Sequence, residues 1–249
     1  METLPRCCVI IPVYRHVEPL VSVLSQLEKY GLPCFLVDDC NEVPVKDALS
    51  TELARWSWAK VLRLEKHSGK GMACMEGCRA AHSDGFSHAI FIDADDQHDI
   101  HDLSSILTLV HQHPQAMILG NPVFDRSAPM KRRIGRLVSN AWVWIETLSF
   151  DIKDSLCGYR CFPLDPLLKV AADVQIGRRM DFEPDTVVRL FWQGVPVVNF
   201  DTRIRYPPRG ISNFHLMHDN GALFWLHTRL FFGMIIRSPF LLIRHWTRV

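Results

Sequence analysis

Short apolar runs that stop at carboxylates constrain this chain most. Residues 34–37 (CFLV) end at Asp38-Asp39, and residues 89–92 (AIFI) end at Asp93-Ala94-Asp95-Asp96. Residues 7–13 (CCVIIPV), 60–64 and 116–120 are further runs of strand length. Each is too short for a helix and rich in branched residues, so each reads as a buried strand. Between them apolar residues fall at helical spacing: Leu20, Val23, Leu24 and Leu27 behind Pro19, then residues 71–81 with small residues on one face, then 103–110. Gly31 closes the first of these helices. Strands alternating with helices imply an α/β fold, a mainly parallel twisted sheet flanked by helices. Such sheets bind ligands beyond the carboxyl ends of their strands, which is where Asp38, Asp39, Asp93, Asp95 and Asp96 fall. The second half is less regular. Residues 130–148 and 184–192 read as helices and 195–200 as a strand.

The length of 249 residues and the 48% hydrophobic content suit one large domain over residues 1–220. A net charge of +1 speaks against a nucleic-acid binder, which carries a strong basic excess. The basic residues are instead clustered. Residues 126–136 hold Arg126, Lys131, Arg132, Arg133 and Arg136 and no acid. Eight cysteines lie mostly inside apolar runs with no CxxC pair, so free thiols in a reducing cytoplasm are expected, not zinc knuckles. No secretory signal is read at the start. Residues 221–249 form a separate apolar and basic segment. Within it, residues 222–243 are long enough to span a bilayer, which takes about 20 residues. Arg229 and Arg237 lie inside that stretch and Pro239 interrupts it, so a helix lying in the interface is expected over a span. A helix packed on the domain is the plain alternative.

Three motifs carry chemistry. Asp93 and Asp95, spaced i and i+2 at a strand end, can turn toward one point. Carboxylate pairs of this kind hold Mg²⁺ or Mn²⁺ together with substrate phosphates. A solvated acidic turn is the bland reading. Asp38-Asp39 can accept hydrogen bonds from a ribose or a base, or can cap the following loop. His67-Ser68-Gly69-Lys70-Gly71 opens a helix whose N-terminus favours anions, although it lacks the spacing of a P-loop.

Taken in order, IIPVYRH (10–16), LVDD (36–39), HSGKGMACMEG (67–77) and DADDQH (93–98) resemble the inverting family 2 glycosyltransferases. CGYRCF (157–162), DFEPD (181–185) and RYPPRGIS (205–212) extend the resemblance, which is nearest to the dolichyl-phosphate mannose/glucose synthase-like branch. The resemblance implies a GT-A fold and a UDP- or GDP-sugar donor. It implies that Pro12 and Tyr14 line the nucleotide pocket, that Asp38 and Asp39 bind base and ribose, and that Lys70 sits near the donor. Asp93 and Asp95 become the metal and pyrophosphate pair, with Gln97 beside them. Arg160 and Arg209 would face phosphate, and Asp181, Glu183 and Asp185 would lie near the acceptor as catalytic candidates. The chain departs from the branch at Asp96, where Gly is usual, at Cys40, where Ser is common, and at His67, where Asn is common. The extra carboxylate at 96 either changes metal preference or lies outside the site.

The expected reaction is in-line displacement at the anomeric carbon with inversion, the metal and Lys70 stabilising the leaving diphosphate. A hydroxyl acceptor needs a base, for which Asp185 and Glu183 are the candidates. A lipid-phosphate acceptor needs none, and Lys131, Arg132, Arg133 and Arg136 would then position it. The expected setting is peripheral, at the inner face of a membrane. A sugar nucleotidyltransferase and a non-catalytic nucleotide-sugar-binding protein are the competing readings. The first is disfavoured by VYRHVEPL, which puts no glycine after the first strand. The second is disfavoured by the intact acidic pair and Lys70.

Overall fold

The computed structural model describes residues 4–124, 130–205 and 216–246. Seven strands form one sheet: β1 (Cys7–Val13), β2 (Cys34–Asp38), β3 (Ala59–Arg63), β4 (His88–Phe91), β5 (Met117–Val123), β6 (Arg160–Pro163) and β7 (Val197–Arg203). Their order across the sheet is β3-β2-β1-β4-β6-β5-β7. All neighbours pair in parallel except β6, which runs antiparallel to both β4 and β5. Eight helices cover it: α1 (Val17–Leu27), α2 (Val43–Leu53), α3 (Lys70–Ser83), α4 (Leu103–Gln112), α5 (Met130–Thr147), α6 (Leu164–Asp173), α7 (Phe182–Trp192) and α8 (Leu216–Trp246).

Strand β1 shows how the two faces are sorted. Cys8 and Ile10 join a core with α3, α5, α6, α7 and α8, while Cys7, Val9, Ile11 and Val13 join one with α1, α2 and α4. Side chains alternate across a strand, and a strand covered on both faces needs apolar residues at every position. The unbroken CCVIIPV run meets that need. The carboxyl ends of β1, β2 and β4 open on the same edge of the sheet, and this places Tyr14, Asp38, Asp39 and Asp93 together. All eight cysteines are free thiols and seven are buried, consistent with their apolar surroundings.

Sequence spacing missed α2, β6 and α6. Strand β6 has four residues, too few to show a period, and is defined by its partners β4 and β5. Helix α8 starts at Leu216 and so crosses the boundary drawn at residue 220. Leu226, Leu230, Met234 and Leu241 bury one side of it in the core shared with α3 and α7.

Candidate active site

The acidic turn after β4 is held from three directions. Lys70, the first residue of α3, places Nζ 2.7 Å from Asp93 Oδ1 and 2.6 Å from Glu183 Oε1 of α7. On the other side Nε2 of the buried His98 lies 3.5 Å from Asp93 Oδ2. Gly158, in the loop before β6, lies against the same carboxylate. A Cβ there would collide with Asp93 Oδ2 and approach Lys70 Nζ to 3.1 Å. This is why CGYRCF carries a glycine next to the acidic pair.

Charges in this corner shift one another. Burial alone would raise the Asp93 carboxyl, but Lys70 and His98 outweigh it and hold the group ionised well below the usual carboxylate range. Burial would lower the Lys70 ammonium, and Asp93 and Glu183 instead hold it above its ordinary value. Asp95 is raised, first by burial and then by the neighbouring charge of Asp93. Its Oδ1 accepts the Gln97 N–H at 3.2 Å, which turns the carboxylate back over its own loop. Two crowded carboxylates, one of them penalised for ionising, form a donor set that a hard divalent cation relieves. The residues present therefore fit Mg²⁺ or Mn²⁺. Among the described residues no group of three or more His, Cys, Asp and Glu forms a closed metal cage; a metal here would take only part of its coordination shell from the pair. That is what a metal shared with substrate phosphates requires.

Asp96 points elsewhere. It stands in the left-handed region at φ 56° and its Oδ1 accepts a hydrogen bond from Gln26 of α1 at 3.1 Å. The conformation explains a preference for Gly at this position, and Asp is among the side chains that tolerate it. The extra carboxylate thus lies outside the acidic pair. Cys40 also has positive φ, 57°, in the turn after β2.

Several residues expected to meet ligand are committed to the protein itself. Asp39 is buried, and both its oxygens accept backbone N–H groups, from Ser68 at 2.7 Å and Gly69 at 2.9 Å. Nδ1 of His67 sits 2.9 Å from the same carboxylate, and its ring stacks on Tyr14 at 4.2 Å. Asp38 Oδ1 accepts from the Asn41 N–H and side-chain amide. The helix start at 67–71 was expected to offer its N–H groups to anions. Instead Gly71 and Met72 donate to the Arg178 carbonyl, at 2.8 and 3.3 Å. Gly71 permits that approach, since a Cβ would collide with the Gly177 carbonyl.

The arginine expected to face phosphate is likewise taken. Arg160 is 1% exposed and donates to the carbonyls of Cys157, Ser155 and Glu183. It knits the Gly158 loop to α7, and four of its five donors are used there. Asp185 is fully buried, accepts the Gly177 N–H at 2.9 Å and pairs with Arg189 at 2.5 Å. Burial raises its carboxyl against the pull of Arg189. Asp181 accepts the Arg179 N–H at 2.9 Å and precedes α7. Of the three acidic candidates in DFEPD, Glu183 alone reaches the acidic pair, through Lys70. Pro12 is half-buried on β1 opposite Val37 of β2, one strand-width from Asp38. The Gln97 carbonyl accepts the Arg205 N–H at 2.9 Å, so the chain leaving β7 passes the acidic turn. Arg209 follows it and lies outside the described residues. Arg136, expected to help position a phosphate, pairs with Asp154 at 2.5 Å; the Asp154 carboxylate in turn accepts the Leu156 and Cys157 N–H groups.

Sequence reasoning missed His98, Asn41 and the Arg178 carbonyl. His98 had a visible signal, because it sits five residues beyond Asp93 in a turn already marked as functional. The Arg178 carbonyl had none, since backbone acceptors leave no trace in side-chain identity.

The sequence profile described as glycosyl transferase family 2 matches residues 8–162. The chain belongs to that family. It is therefore a glycosyltransferase, of the class that uses nucleotide sugars. An uncharacterized protein of Methanocaldococcus jannaschii is 23% identical over 211 residues, 82% of this chain and 90% of the relative. Among solved structures, the fold is similar to that of TarS residues 1–349 from S. aureus in complex with UDP-GlcNAc. The TM-score is 0.58 at 14% identity, covering 90% of this chain and 66% of that one. It is also similar to glucosyl-3-phosphoglycerate synthase from Mycobacterium tuberculosis in complex with Mn²⁺, UDP-glucose and phosphoglyceric acid. There the TM-score is 0.61 at 13% identity, covering 93% of this chain and 79% of that one. These neighbours establish the GT-A fold. The chain spans less than two thirds of the length of the TarS fragment.

Proposed function

We propose that this enzyme transfers a sugar from a UDP- or GDP-linked donor to a lipid-linked acceptor, with inversion, using Mg²⁺ or Mn²⁺ held by Asp93 and Asp95. The observation that carries the reading is the crowded pair itself. Asp93 is kept ionised by Lys70 and His98 while Asp95 is held high beside it, an arrangement that a divalent cation and a diphosphate complete. The mycobacterial neighbour bound to Mn²⁺ and UDP-glucose supports the same chemistry. When bound, the metal supplies Lewis-acid neutralisation of the leaving diphosphate.

The protein's own groups do the rest. Lys70 holds a fixed positive charge beside the acidic turn and can swing from Glu183 toward a donor phosphate, stabilising charge as it develops. Gly158 keeps that corner free of side-chain bulk, and Arg160 fixes the loop that carries it. Tyr14, stacked on His67 and lying under the Arg15 guanidinium, stands just past the end of β1 beside Asp38, where its ring and hydroxyl edge can border a bound base. Asp39 shapes the pocket from beneath, by holding the 67–69 loop.

The acidic groups of DFEPD bear on the acceptor. Asp185 is locked to the Gly177 N–H and Arg189, Asp181 accepts the Arg179 N–H on one oxygen, and Glu183 is tied to Lys70. A polyprenyl-phosphate acceptor, already an anion, needs no general base and suits this arrangement best. It also agrees with the likeness to the dolichyl-phosphate sugar synthase-like branch, and it would place the enzyme peripherally at the inner face of a membrane. The test is transfer from UDP-glucose and GDP-mannose to polyprenyl phosphate, with Glu183→Gln compared to the wild type. Transfer in which the variant keeps its rate within about tenfold supports the anionic acceptor. A loss of 10³-fold or more, near the upper end of what a lost general base costs, overturns it.

A further inference from the structure

We infer that α5 and α8 together form one face that docks on the surface of an anionic lipid bilayer, an inference that gives the lipid-acceptor reading its location. Both helices are apolar on the side turned away from the core. Ile134, Leu137 and Val138 of α5, and Trp225, Phe232 and Ile236 of α8, are each more than half exposed. On α5 these residues follow one stripe with Met130 and Ile145, at steps of three, four and seven residues. The two stripes are joined. Trp142 of α5 stacks on His227 of α8 at 5.9 Å and meets Phe231 edge-on at 6.3 Å, and Phe231 meets Phe232 at 5.9 Å. Exposed apolar side chains gathered on two adjacent helices and rimmed by polar groups mark a docking surface.

Charge selects the occupant. The only carboxylates on these helices are Glu146 and Asp219. Both are buried, Glu146 against His227 at 2.9 Å and Asp219 against Arg179 at 3.0 Å. Among the described side chains the exposed charges are Arg132, Arg133, Arg229 and Arg237, all positive. A second copy meeting this face by two-fold symmetry would set like charge against like. An anionic headgroup layer meets apolar and basic groups together, each basic residue strengthening binding by about fivefold. A transbilayer course for α8 would strip Leu226, Leu230, Met234 and Leu241 from the core, and would carry Arg229 and Arg237 into hydrocarbon. Lying flat costs neither.

The contribution of α5 is the part that the tail alone does not foretell. It also ties the face to the site. Arg136 of α5 holds Asp154, and Asp154 holds the start of the loop that presses Gly158 on Asp93. Asp219 of α8 holds Arg179, next to the Arg178 carbonyl that caps the helix bearing Lys70. Docking through α5 and α8 would therefore set the acidic corner at a fixed height above the membrane.

The test is co-sedimentation of the full chain with vesicles of phosphatidylcholine, alone and mixed with phosphatidylglycerol. The wild type is compared with Ile134→Ser/Leu137→Ser on α5, Phe232→Ser/Ile236→Ser on α8, Arg133→Gln/Arg229→Gln, and Val43→Ser on the exposed part of α2 as control. Circular dichroism and a thermal melt verify folding, and metal-dependent donor hydrolysis is measured in the same samples without lipid. The expected result is binding to the mixed vesicles that falls about tenfold or more in each double variant, with the control unchanged. The arginine pair should lose its effect on phosphatidylcholine alone. Absence of wild-type binding overturns the inference. So does an α8 effect with no α5 effect, or self-association that the same serine variants abolish. Failure of vesicle binding with hydrolysis intact removes the docking face and leaves the transferase standing. Binding without hydrolysis does the reverse.

Discussion

Two charge clusters share α7, one through Glu183 and one through Asp185, and they differ in who answers the charge. In the Asp93–Lys70–Glu183 corner the partners are flexible side chains, and Asp93 and Lys70 keep 26% and 22% of their side-chain surface in solvent. Around Asp185 the partners are the Gly177 N–H and Arg189, and the carboxylate has no exposure at all. A carboxylate held by a lysine can exchange that partner for a ligand. One locked to a backbone amide and a neighbouring arginine cannot do so without unfolding its surroundings. The first cluster is built to bind and the second to hold α7 against the 177–179 loop.

Four substitutions separate these roles. The largest effect is expected on stability. Asp185→Asn breaks a buried ion pair and strands Arg189, which should cost about 3–5 kcal/mol of unfolding free energy in denaturant titration while leaving donor affinity of the folded fraction unchanged. Loss of donor binding without loss of stability would show that the comparison has the two clusters reversed. Next is Asp95→Asn. Sugar transfer should fall by about 10²–10³-fold, the scale of losing one electrostatic contact in a transition state, with a melting temperature near that of the wild type. Gly158→Ala should come third. The added methyl displaces Asp93 and costs about 1–3 kcal/mol of overpacking, and it should weaken metal-dependent donor binding more than it lowers the melting temperature. The smallest is Asp96→Gly. Relieving the left-handed φ while losing the Gln26 contact should change stability by about 1 kcal/mol or less. Donor affinity and metal preference should stay as they are. A change of metal preference would place Asp96 in the site after all.

The framework was legible because strand ends and carboxylates coincide. The runs CCVIIPV, CFLV and AIFI mark three strands whose carboxyl ends meet, and the DxD step after the last of them marks the acidic corner. Residue roles were less legible, because a side chain's identity does not reveal what it touches. Asp39 and Arg160 carry the charge that nucleotide recognition uses, yet the first is answered by the Ser68 and Gly69 amides and the second by three carbonyls. The Asp39 partners come from a segment some 30 residues away, and those of Arg160 from its own loop and from α7; all are main-chain groups, which side-chain identity does not mark. The four-residue β6 and the α5–α8 seam are hidden for another reason. Both exist only as contacts between distant parts of the chain.

The central claim is that the Asp93–Asp95 pair binds a nucleotide sugar through a divalent cation. Titration calorimetry of UDP- and GDP-sugars tests it, with Mn²⁺, with EDTA, and against Asp95→Asn and Asp185→Asn. One donor should bind in a way that needs Mn²⁺, disappears in Asp95→Asn and persists in folded Asp185→Asn. Donor binding that is equally tight in EDTA and in Asp95→Asn would contradict it.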